Sequence, residues 1–177
     1  IKFIFNPKVF FSKSAKSDYK VFFINQVIML LISPHLLTQI TIATALYFFF
    51  FEINFIDMGL FASSPKYIII SLFTLTHFIV DDFSKYIVHR WMHNWPFLWA
   101  LHKVHHSATN LTPMTVFRTH PLEGLVFTLR SAFAQGVTIS TFVYLFGGGV
   151  DLYTILGANL FVFPVSYTHL TLPTTGI

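Results

Sequence analysis

Five of the chain's nine histidines fall in the single stretch HRWMHNWPFLWALHKVHH, from His89 to His106. His89 and His93 are four apart, and His102, His105 and His106 follow an i, i+3, i+4 spacing, so on helices each set shares one face. Neutral imidazole is a good ligand for iron, zinc or copper. Two helices presenting five imidazoles to one another exceed what one closed, tetrahedral structural zinc would use, and a site for two metals is the natural reading. The chain contains no cysteine, so thiolate sites and disulfides are excluded and the ligands must be imidazole or carboxylate.

The neighbours of these histidines suit the task of orienting them, because a ligating imidazole is normally held through its other ring nitrogen. Asp82 and Asp81 precede His89 by seven and eight residues, near the same helical face, and Tyr86 precedes it by three. A carboxylate at a membrane edge is costly unless paired, so one of the two aspartates should meet a histidine or Lys85. His77 lies three turns before His89 and is a further candidate ligand. Arg118, His120, Pro121 and Glu123 cluster tightly enough either to ligate or to fix a loop. His35 reads as a satisfied polar group inside a helical bundle. A rival account makes the five histidines an interfacial belt with Trp91, Trp95 and Trp99; the tryptophans fit it, whereas two helical registers of histidine fit a metal better.

The elements that must carry these residues are apolar. The 177-residue chain is 54% hydrophobic and 10% charged, with 23 phenylalanines, a composition of integral membrane proteins. The reading is an all-α, multi-pass transmembrane bundle with a histidine-rich helical site at its cytosolic side. Residues 1–20 form a lysine-rich cytosolic segment, and 21–164 a membrane-embedded domain. Within it, Val21 to Phe51 is too long for one span and should break at Pro34, leaving a tilted span from about Leu36 to Phe51. Tyr67 to His93 is expected as one long helix leaving the membrane, Trp99 to Ser107 as a second short one after Pro96, and 111–124 as a loop with turns. Leu125 to Leu145 and a return run from Leu152 to Phe163 flank a glycine turn at 147–149. Lysine counting puts the N-terminus, and two crossings later the histidines, in the cytosol. The net charge of +4 is spread over loops that suit anionic lipid headgroups, with no basic helix for nucleic acid.

The chain starts at Ile1 without an initiator methionine and reads as a fragment. From Pro164 the composition changes: VSYTHLTLPT resembles a translated transposon-type sequencing adapter, so 165–177 is taken as an artefact and His169 carries no functional weight.

The stretch DDFSKYIVHRWMHNWPFLWALHKVHHSATNLTPMTVFRTHPLEG, positions 81 to 124, resembles the fatty acid hydroxylase and sterol desaturase superfamily in its HRxxH box, its HxxHH box and the R-x-H-P-x-E segment that follows. The resemblance implies a centre of two iron ions held by His89, His93, His102, His105 and His106. It further implies O2 as co-substrate, a lipid substrate, and electrons from a separate cytochrome b5-like or ferredoxin-like donor in the bacterial inner membrane or endoplasmic reticulum. The superfamily's further C-terminal histidine box is missing, which implies that the chain as written is inactive. Two alternatives remain open. A membrane zinc hydrolase would place a glutamate beside the first histidine as in H-E-x-x-H, where this chain has Arg90. A non-catalytic metal transporter or haem-bearing anchor would place its ionisable groups at mid-membrane or on facing spans.

Overall fold

The structure, a computed structural model, describes residues 10–32, 39–53, 56–109, 112–147 and 150–160. These residues are helical or lie in turns, with no strand among them. Five α-helices run α1 (Lys13–Ile32), α2 (Gln39–Ile53), α3 (Lys66–Asn94), α4 (Pro96–His102) and α5 (Pro121–Phe146). Short 3-10 turns cover His105–Ser107 and Pro113–Phe117, and a further helical run covers 152–160. The adapter-like tail and His169 lie outside the described residues, as do Pro34 and His35.

The chain divides into two compact units, one from residues 1–36 with 87–128 and the other from 37–86 with 129–177. In the first, α1 packs on the turn Pro113–Phe117, with Phe22 edge-on to Phe117 at 5.2 Å between ring centroids. Its interior is polar: Asp18, His102 and Glu123 rank with Met92 among the largest fully buried side chains. Buried polar groups must find partners, and this demand shapes the site described below.

The second unit has an apolar core. Ile69 and Phe73 of α3 meet Phe142 and Phe146 of α5 and Ala158 of the last helical run, with Phe73 edge-on to Phe142 at 5.3 Å. The loop before α3 is tied to the end of α5: Gly59 N–H donates to the Tyr144 carbonyl at 2.8 Å and Phe61 N–H to the Leu145 carbonyl at 2.9 Å. Gly59 takes φ 73° and Gly147, directly after α5, φ 60°, a left-handed backbone that glycine adopts without a Cβ penalty. At Gly136 a Cβ would lie 2.7 Å from Ile42 Cγ2 and 2.9 Å from Ile42 Cβ, so α2 and α5 approach closely because that residue has no side chain.

The helix expected from Tyr67 through His93 extends over Lys66–Asn94 and is, among the described residues, the one helix long and apolar enough to cross a membrane. The apolar run Val21 to Phe51 is divided between α1, which already begins at Lys13, and α2. At about 1.5 Å per residue α2 is about 22 Å long, short of the roughly 30 Å hydrocarbon core. In α5, Arg130, Gln135 and several serines and threonines dilute the apolar residues. Large apolar side chains nevertheless face outward along α1, α2 and α3, including Leu30, Leu31, Phe48, Tyr67 and Leu75, a surface unlike that of a typical water-soluble monomer.

Candidate metal centre

His89 and His93 occupy the last turns of α3, and their Nε2 atoms are 3.0 Å apart. Asn94 ends the helix. Trp95 is extended (φ −99°, ψ 121°) with Pro96 opening α4, because proline disfavours a helical residue before it while fitting the first position of the next helix. The reversal brings His102, at the end of α4, against α3: its ring centroid is 4.7 Å from that of His89 and 4.8 Å from that of His93. His102 Nε2 lies 3.1 Å from His106 Nε2. His89, His93, His102 and His106 each offer one nitrogen, and the four nitrogens lie within 4.8 Å of one another.

That donor set fits a transition-metal ion. Two imidazole nitrogens bound at right angles to one ion, with bonds of about 2.1 Å, stand about 3.0 Å apart, which matches both short nitrogen pairs. Trp99 braces the set, with its ring 5.4 Å from His93 and 5.6 Å from His106.

Behind the set stands Glu123. His120 caps the start of α5: its Nδ1 accepts the Leu122 N–H at 3.2 Å and its carbonyl accepts the Gly124 N–H at 3.0 Å. Pro121 follows as the first helical residue, so the helix starts earlier than the loop expected over 111–124. This places Glu123 in the first turn, where the helix dipole favours a carboxylate. Glu123 Oε1 is 2.8 Å from His102 Nδ1 with both side chains 2% exposed. A carboxylate only accepts, so it fixes the proton on Nδ1 and leaves the Nε2 lone pair for the cluster. Glu123 Oε2 is buried with no hydrogen-bond partner among the described residues.

His105 departs from the expected register. The short helix expected over Trp99 to Ser107 ends at His102, and the chain tightens into the 3-10 turn His105–Ser107, so His102, His105 and His106 do not share one regular helical face. His105 stacks beside His102 at 5.7 Å and hydrogen-bonds the backbone carbonyl of Arg118, outside the four-nitrogen set. Its Nδ1 is buried without a partner among the described residues. Burial holds the pKa of both His105 and His106 below the ordinary imidazole value. The neighbouring histidines, His102 and His105 first, depress His106 further, and a positive charge on either ring is therefore disfavoured.

The remaining candidates have other partners. Arg118 Nη1 pairs with Asp18 Oδ1 at 2.9 Å. His77, Asp81, Asp82 and Tyr86 belong to the second unit. There His77 Nε2 meets Asn159 Oδ1 at 3.1 Å, an oxygen that also accepts from Gln135. Asp81 is bound by Arg130 at 2.9 Å and by Lys85 at 3.6 Å. Asp82 adds to the negative field around Lys85, and Tyr86 is exposed. Sequence reasoning missed Asp18, the one carboxylate among the lysines of residues 1–20, which is completely buried.

Comparison with known proteins gives a consistent family. The model of the family described as fatty acid hydroxylase matches residues 74–173. A Delta(7)-sterol 5(6)-desaturase of Eremothecium gossypii is 36% identical over 73 residues, 41% of this chain and 20% of that protein. A protein named as a methylsterol monooxygenase of Dictyostelium discoideum is 29% identical over 151 residues, 76% of this chain and 52% of that protein. The chain thus spans about half or less of the length of these relatives. No solved structure matches it.

Proposed function

From the premise that this chain belongs to the fatty acid hydroxylase family, whose model matches residues 74–173, we propose that it is a membrane-bound, O2-dependent oxidoreductase that hydroxylates or desaturates a lipid at a centre of two iron ions. The observation that carries this reading is the convergence of four imidazole nitrogens within 4.8 Å, one of them backed by a buried carboxylate. His89, His93, His102 and His106 would hold one ion. His105, whose buried Nδ1 has no partner among the described residues and whose ring stands 5.5 Å from that of His106, would offer a nitrogen to a second.

Iron bound there supplies the activation of O2 and the oxidising power to attack an unactivated C–H bond. The chain's own residues do the positioning. Glu123 keeps the Nδ1 proton on His102 and fixes that ring's direction. Trp99 limits rotation of His93 and His106. Burial keeps His105 and His106 neutral and available as donors. The apolar surfaces of α2 and α3 are assigned to the bilayer and to the lipid tail, and the cluster at the end of α3 to the cytosolic face, where a separate protein delivers electrons. The names of the two relatives, one a sterol desaturase and one a methylsterol monooxygenase, make a sterol the first substrate class to try.

The test is to express the full gene product in membranes and supply a reductant, 18O2 and sterol or fatty acyl lipids, then to follow products by mass spectrometry. Gain of one 18O marks hydroxylation, and loss of two hydrogens marks desaturation; both should vanish in His106→Ala. Oxidation that persists in that variant would place the chemistry elsewhere.

A further inference from the structure

The segment 112–120 links the histidine cluster to a part of the chain that the family match does not cover. It packs on the turn His105–Ser107 on one side and on α1 on the other. Its own fold is local: Thr112 and Thr115 form a reciprocal cap around the 3-10 turn Pro113–Phe117. Its position comes from α1. Asp18 is fully buried and uses both carboxylate oxygens, Oδ1 accepting from Arg118 Nη1 at 2.9 Å and Oδ2 from Thr115 Oγ1 at 2.8 Å. Arg118 also donates to Ser14 Oγ at 3.2 Å, and Asn25 donates to the Thr119 carbonyl at 2.8 Å. Three side chains on one face of α1, Ser14, Asp18 and Asn25, therefore grip residues 115, 118 and 119.

The gripped residues are those that touch the site. The backbone carbonyl of Arg118 holds the His105 ring. One residue beyond Thr119, His120 caps α5, whose first turn carries Glu123 to His102. A buried charge pair tolerates little displacement, because removing one partner leaves the other uncompensated. The segment is thus held in one position by Asp18.

We infer that Asp18 is a positioning residue for the histidine cluster, acting through Arg118 and Thr115 to set the His105 ring and the start of α5. The inference rests on the metal-centre reading and deepens it: α1, which precedes the family-matched region, supplies part of the support of the site. Asp18 itself touches none of the histidines in the cluster. Its effect reaches them through the backbone of 115–120.

The test uses the full gene product in nanodiscs, titrated with cobalt(II), whose visible absorption reports both affinity and ligand geometry. Asp18→Ala should weaken cobalt binding about tenfold, in the range of losses of groups that orient metal ligands, and should alter the absorption envelope. Asp18→Asn keeps the shape and one acceptor oxygen, and should give a smaller loss with the same direction of spectral change. Phe22→Ala removes the Phe22–Phe117 contact between α1 and the segment without touching Arg118; it should lower the melting temperature while leaving affinity and spectrum within twofold of wild type. If both Asp18 variants match wild type, or if Phe22→Ala reproduces their spectral change, the inference is overturned. Should Asp18→Ala not fold, Asp18→Asn decides alone by the same criterion. Absence of cobalt binding to wild type would sink the metal-centre reading itself, an outcome distinct from wild-type binding that Asp18 variants leave unchanged.

Discussion

Replacing Glu123 by glutamine separates what this carboxylate does for the metal from what it does for the fold. In the wild type Glu123 Oε1 takes the Nδ1 proton of His102 at 2.8 Å, and neither side chain is open to water. Groups that orient a metal-bound histidine are worth about 10- to 100-fold in affinity, or about 1.4–2.7 kcal/mol. Glutamine retains an acceptor oxygen for His102 but loses the charge, so Glu123→Gln should fall near the tenfold end. Glu123→Ala leaves a buried ring N–H with nothing to bond and should fall near the hundredfold end. Stability should respond differently. Glu123 Oε2 is buried and unpaired among the described residues, and an ionised oxygen so placed is more costly than a neutral amide. The metal-free Glu123→Gln protein should therefore melt no lower than wild type. The assay pairs competition of zinc against a chromophoric chelator with thermal melts of the metal-free protein. Unchanged affinity in Glu123→Gln, or weakened affinity fully accounted for by a lower melting temperature, would show that the Glu123 charge does not orient His102 for the metal.

Four further outcomes follow from the geometry. His106→Ala should remove the first metal ion from the chain, whereas His105→Ala should retain it, because His105 lies outside the four-nitrogen set; metal counting on each variant checks this. The metal-free protein should lose stability as pH falls below about 6.5, and a denaturation series between pH 7.5 and 5 reads the slope. The sign follows because His105 and His106 have lowered pKa values when folded, so below 6.5 the unfolded chain binds more protons. Gly136→Ala should destabilise by about 1–3 kcal/mol through overpacking, since its Cβ would press on Ile42 and on the Ala43 backbone nitrogen at 3.2 Å; a lower thermal midpoint is the readout. Arg130→Met should cost about 1–3 kcal/mol, because it removes the nearer of the two cations on buried Asp81 and leaves Lys85 at 3.6 Å, and the double variant with Asp81→Asn should recover much of that loss in the same melt.

The histidine pairs were legible because helical spacing acts locally. His89 and His93 needed only a continuous helix, and Pro96 announced where it would stop. His105 was misplaced by the same logic carried one turn too far: the chain leaves the α-helix after His102, and a 3-10 turn rotates the next side chain off the shared face. Glu123 could be suspected from its place near His120, but its contact with His102 joins residues 21 apart and depends on where α5 begins. The pairing of Asp18 with Arg118 spans 100 residues, and nothing in the local pattern of either residue encodes it. The division of Val21 to Phe51 into two helices was legible from its length and Pro34, but the helix bounds were not, since α1 starts as early as Lys13 and α2 runs only from Gln39 to Ile53.

Counting iron decides whether the converging histidines form a metal centre. The full gene product, reconstituted with iron(II) without oxygen and freed of excess by gel filtration, should carry two iron ions per chain by mass spectrometry, with binding lost in the double variant His89→Ala, His93→Ala. Wild-type protein that retains no iron, or iron retained undiminished by the double variant, would contradict the account.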